Sequence, residues 1–172
     1  MSAYSEDYCY SHDIDCFFLI EGRQQKYIHF ASNGNLLPSW IDKEVNEDFR
    51  EELSKAFSQF EDTLKVEIHP NHVKYLIHKD GAMYDSISQR MIDNYTSSFI
   101  MMAKLGFHSY DMNEGKLYLI AEPTGGESPL LENCFGELNE WLQKTSELIP
   151  KVSEDVFMQS VAQIDAYSIM RK

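Results

Sequence analysis

Six histidines and three cysteines are the residues of this 172-residue chain best suited to metal or nucleophilic chemistry. His29, His69, His72, His78 and His108 fall within or at the ends of segments with strand-like alternation. Zinc needs three or four nitrogen or sulfur ligands at about 2.0–2.1 Å. The pair His69 and His72 flanks a Pro70-Asn71 turn rather than sharing a helix face, and there is no H-E-x-x-H. These imidazoles therefore read as solvent-facing, with no metal and no cofactor expected. Cys9, His12 and Cys16 mix two ligand types but lack a fourth partner. Cys16 and Cys134 lie on apolar faces and read as buried, unreactive thiols. There is no G-x-S-x-G. A Cys16/His29/Asp15 constellation fails because strand alternation sends Cys16 and His29 to opposite faces. Asp13 and Asp15 share a face and would serve acid–base chemistry only inside a cleft.

A second group of candidates comes from glycine-containing loops that run into helices. These are Ser32–Asn35 ("SNGN"), Lys79–Ala82 ("KDGA") and Pro123–Ser128 ("PTGGES"). If the strands before them point the same way, three helix N-termini face one region at the sheet edge. The residues that would line a ligand site there are Ser32, Asn33, His78, Asp80, Thr124, Gly125 and Gly126. None of the loops has a phosphate-cradling pattern, and Asp80, Glu122 and Glu127 oppose an anion. Glycine serves a turn wherever φ must be positive, with no ligand required.

The elements that must position these residues follow from periodicity. "DIDCFFLI" and "KYIHFA" read as a hairpin, with both faces of the first strand apolar. Val45, Phe49, Leu53, Phe57 and Phe60 predict a helix over 41–61, with Ser39 and Asp42 resembling a capping box. "TLKVEIH" and "HVKYLIH" read as a second hairpin about Pro70, followed by a helix over 86–105 that Gly106 ends. "FHSYDM" and "KLYLIAE" form a third hairpin. A helix over 129–149 follows, capped by Ser128 with Pro129 at its first position. Ser153 caps a last helix over 154–170. The expected fold is α+β: a mostly antiparallel six-stranded sheet from three β-hairpin–helix units plus a C-terminal helix, with helices packed on the sheet. The chain reads as a single domain over 1–172, with 1–12 as a loose N-terminal arm.

Charge bounds the function. Net charge is −13, and three segments carry it: residues 1–21, 42–62 and 127–155 hold −5 each. Such a chain repels phosphate backbones, which argues against nucleic-acid binding. No apolar run approaches the about 20 residues that span a bilayer, and the N-terminus lacks the basic and apolar regions of a secretory signal. A cytoplasmic protein is expected. The absence of catalytic signatures beside segregated acid points to a non-enzymatic, acidic protein-interaction domain of inhibitor or immunity type that meets a basic partner. The alternative is a small-molecule- or metal-binding enzyme with its site where the three glycine loops converge.

Overall fold

A computed structural model describes residues 3–22, 26–60, 64–125, 132–145 and 147–162. The elements in chain order are α1 (Glu6–Ser11), β1 (Asp15–Glu21), β2 (Lys26–Ala31), α2 (Lys43–Phe60), β3 (Lys65–Ile68), α3 (Pro70–Lys79), α4 (Gln89–Lys104), β4 (Phe107–Asn113), β5 (Lys116–Gly125), α5 (Glu132–Thr145), β6 (Lys151–Ser153) and α6 (Glu154–Ser160). The six strands form one sheet in the order β3-β5-β4-β2-β1-β6.

The fold is α+β, but the sheet is mixed rather than mostly antiparallel. The pairs β1–β2, β4–β5 and β3–β5 are antiparallel, whereas β2–β4 and β1–β6 are parallel. Both parallel pairs join strands far apart in sequence, which alternation within a segment does not specify.

The first and third hairpins form as expected, whereas the second does not. Residues 70–79 are the helix α3, with Pro70 in its first turn. Proline suits that place because the first helical N–H groups have no intrahelical partner. Val73, Leu76 and Ile77, at helical spacing, are the buried residues of α3. With its expected partner helical, β3 pairs instead with β5.

The arm expected to be loose holds α1. Ser5 caps it by accepting the Tyr8 N–H, and Tyr4 and Cys9 are buried. Asp42 caps α2, its Oδ1 accepting the Val45 N–H at 3.1 Å. The last helix ends at Ser160. Val161 is extended and forms a parallel bridge to Leu117. The Ser128 cap, Pro129 and the expected helix beyond 162 lie outside the described residues, as does the side chain of Cys134.

Both sheet faces are covered. On one, Cys16, Phe18, Ile28, Phe30 and Tyr110 meet Tyr4 and Cys9 of the α1 segment, Ile41, and Phe157 of α6. On the other, Phe17, Leu19 and Phe107 pack under α2 and α5, and Tyr118 and Ile120 pack under α3 and α4. No described helix is long and apolar enough to cross a membrane.

Candidate functional site

Because β2 and β4 run parallel, their C-terminal ends share one edge of the sheet. The turn after β2 is built there. Asn33 and Gly34 take φ of 49° and 72°, the left-handed conformation open to Asn and Gly. Ser32 is fully buried, its N–H donating to Ile14 O at 2.9 Å and its Oγ accepting the Ile14 N–H at 2.8 Å. Asn33 N–H donates to Asp13 Oδ1 at 2.8 Å. A carboxylate of the chain itself thus fills the place an anion would take on this turn.

Asp111, near the C-terminal end of β4, is 6% exposed and accepts the Tyr95 hydroxyl from α4. Burial, followed by the charges of Asp13 and Asp80, outweighs the Tyr95 hydrogen bond and pushes the Asp111 carboxyl up to about 7. Asp80 caps the C-terminus of α3. The charges of Asp13 and Asp80 thus both act on Asp111, and Asn33 is tied to this neighbourhood by its hydrogen bond to Asp13. His78 belongs to the frame of this loop, its Nδ1 donating to Ala82 O at 2.8 Å.

Thr124 and Gly125 are not part of this cluster. They end β5, which runs antiparallel to β4 and leaves the sheet at the opposite edge. Thr124 lines a groove of about 550 Å³ with Leu64, Val66, Ile68 and Ile100. Gly126 lies outside the described residues. The topology thus divides the expected three-loop site.

A buried polar relay crosses the middle of the sheet. Ser109 Oγ and His29 Nδ1 lie 2.7 Å apart, and His29 Nε2 and Asp15 Oδ1 lie 2.8 Å apart. An ionised Asp15 only accepts, so Nε2 carries the proton given to it. Burial opposes ionisation of Asp15, but the hydrogen bond and charge of His29, with Arg50, hold its carboxyl below the ordinary value. This has the residue types of a hydrolase triad in the wrong orientation. Ser109 is 0% exposed, whereas the Asp15 side chain is 38% exposed, so no substrate carbonyl reaches the hydroxyl. Cys16 sits on the other face, its thiol pushed well up by burial.

His69 and His72 stack with ring centroids 5.5 Å apart. His72 Nδ1 donates to Leu119 O at 2.6 Å, and burial holds its ring below the ordinary value. His69 and His108 lie 3.4 and 3.9 Å from Glu122. Among the described residues, no three His, Cys, Asp or Glu side chains are arranged to hold a metal ion.

The N-terminal segment, on one face of the sheet, and α2, on the other, meet where β1 begins. Tyr4 donates its hydroxyl to Glu47 Oε1 at 2.7 Å and accepts from Asn46 Nδ2 at 3.1 Å. Asn46 is 2% exposed and also ties β1, donating to Asp15 O and accepting the Phe17 N–H. Lys43 Nζ lies 5.8 and 5.7 Å from the Tyr4 and Tyr8 ring centroids. The sequence assigned no site role to Asn46, Tyr95, Ser109 or Asp111. The available signal was a polar residue at a core-facing position of an otherwise apolar helix or strand. Comparisons of the chain with protein-family models, with curated proteins and with solved structures gave no match.

Proposed function

We propose that the protein is a non-enzymatic interaction domain whose α1–α2 surface docks on a cationic protein. The observation that carries this is the Tyr4 hydroxyl held between Glu47 and Asn46, because it ties the two acidic segments to each other beside the start of β1. Glu6 and Asp7 of α1, and Glu44, Asp48 and Glu51 of α2, are exposed. Tyr8 and Tyr10 are 37% and 60% exposed and supply amphipathic contact area at low entropic cost. Acid at such a rim steers a basic partner and sets its orientation. The free, buried thiols of Cys9 and Cys16 fit a reducing compartment such as the cytoplasm.

The test uses a folded Lys/Arg-rich protein as probe. Binding should weaken at least about tenfold from low to high salt. The triple reversal Glu44→Lys, Asp48→Lys and Glu51→Lys should weaken it by a similar factor. Reversal of three exposed acids elsewhere, Glu137, Glu140 and Glu147, should change it little. Salt-independent binding, or equal loss from both triple reversals, would refute a defined docking face.

A second reading, a small-molecule-binding enzyme, is favoured by Asp111 alone, since a buried carboxyl held at about 7 beside Tyr95 is the kind of shift found at catalytic sites. Its site would comprise Asn33, Asp80, Asp13 and Asp111. A small molecule whose binding protects this edge from hydrogen exchange would support it.

A further inference from the structure

We propose that the protein self-associates through β3, pairing this strand with the same strand of a second copy about a twofold axis at Val66. β3 is the outermost strand of the sheet, and β5 holds its inner side. Antiparallel ladders alternate residues that bond inward with residues that bond outward. His69 N–H donates to Ile120 O at 2.9 Å, so Glu67, two residues earlier, is in the same inward phase. The N–H and C=O of Val66 and Ile68 therefore point out of the sheet. The partner of Val66 across the ladder is Pro123, and a proline is compatible with this phase because no N–H is needed between the two residues. Among the described residues nothing pairs with the outer side of β3, and such an edge is a template for another strand.

The side chains favour a second copy as the occupant. Val66 and Ile68 are half-buried against Ile100 at the groove. Lys65 and Glu67 are exposed on the other face, and neither has an ion pair among the described residues. Glu67 instead lies directly opposite Glu122, a like charge whose own neighbours are His69 and His108, so no partner for Glu67 comes from β5. A cation arriving at the outer side of Glu67 would supply that partner.

Charge then selects the register. Under a twofold axis normal to the sheet, the faces match only if the axis passes through a residue. Centring on Lys65 or Glu67 sets like charges opposite each other. Centring on Ile68 brings the partner's Pro70, where α3 begins, onto the ladder. Centring on Val66 places Lys65 opposite the partner's Glu67, and Glu67 opposite the partner's Lys65. Val66 then bonds its own counterpart through its outward N–H and C=O. The short contact and the net charge of −13 make this a weak, concentration-dependent dimer.

The test is sedimentation equilibrium of the full chain over a range of concentrations. The parent should show a monomer–dimer equilibrium. Lys65→Glu and Glu67→Lys should each weaken it about tenfold or more, and the double swap should restore it. Val66→Pro removes an outward N–H and spares the inward ladder, so it should abolish the dimer with circular dichroism unchanged. A parent that stays monomeric up to about millimolar concentration, or a double swap no better than the worse single reversal, would overturn the proposal. The parent and the charge variants decide between these outcomes even if Val66→Pro fails to fold.

Discussion

The Tyr95 hydroxyl of α4 is hydrogen-bonded to the Asp111 carboxyl of β4, with the charges of Asp13 and Asp80 acting on the same carboxyl. A folded-state value of about 7, against an ordinary 3.8, means that between those limits the native state holds a proton the unfolded chain has released. The native state is therefore favoured at low pH. Its stability falls as pH rises through this window and levels off above it. Asp111→Asn removes the penalty while keeping an acceptor for Tyr95. Urea denaturation at pH 8 should show the variant about 2–4 kcal/mol more stable than the parent, with the gap closing toward pH 4. Tyr95→Phe removes the bond that lowers the carboxyl and should move the transition to higher pH. Parallel stability curves for parent and Asp111→Asn would contradict this account.

The Ser109–His29–Asp15 relay is expected to stabilise the fold rather than to cleave a substrate. Ser109→Ala leaves the buried His29 Nδ1 without its partner and should cost about 1–3 kcal/mol. Asp15→Asn should cost less, about 1 kcal/mol at pH 7, because its side chain is 38% exposed and solvent screens it. The Asp15 carboxyl sits below its ordinary value, so its contribution is present above about pH 4 and fades as pH falls through the folded value. A serine-directed fluorophosphonate should leave the native protein unlabelled by mass spectrometry. Labelling at Ser109 would show that the hydroxyl is reachable.

Detaching α1 should weaken docking more than it weakens the fold. Tyr4→Phe deletes the hydroxyl that joins Glu47 and Asn46, and should cost about 1 kcal/mol. Hydrogen exchange should accelerate within residues 6–11, and affinity for the cationic probe should fall with it. Asn46→Ala also strips partners from Asp15 O and Phe17 N–H, so its loss should be larger, about 2–3 kcal/mol. Faster exchange across β1 would distinguish it from Tyr4→Phe. Unchanged exchange over α1 in Tyr4→Phe would show that other contacts hold the helix.

Elements with an unambiguous period were legible in the sequence. The stripe through Phe49, Leu53 and Phe60 gives α2, and the alternation of Cys16, Phe18 and Ile20 gives one face of β1. Residues 70–79 satisfy both periods: Val73, Tyr75 and Ile77 alternate, while Val73, Leu76 and Ile77 share a helical face. Pro70 is equally at home in a tight turn and in a first helical turn, so local chemistry did not decide. The strand order was illegible for a different reason. Parallel contact between β2 and β4 depends on packing across the intervening α2, β3, α3 and α4, and no single segment encodes it. The candidate site inherited this gap. Asp80 acts on Asp111, and Asn33 reaches the same neighbourhood through Asp13, but Thr124 leaves the far edge because β5 runs the other way.

Gly106 joins α4 to β4 and so fixes where the strand carrying Ser109 and Asp111 begins. Its φ is +99°, and a Cβ placed there would lie 2.9 Å from Leu142 Cδ1 of α5. The backbone requirement and the contact act together, since any side chain both strains φ and presses on a helix from the neighbouring layer. Leu142 is 7% exposed and packs in the cluster with Phe107, so its methyl has little free space. Gly106→Ala should cost about 1–2 kcal/mol for conformation and more for the displaced leucine. Adding Leu142→Val shortens the obstructing side chain. The double variant should therefore lose less than the sum of the singles in urea denaturation, whereas strict additivity would show that the two residues do not press on each other.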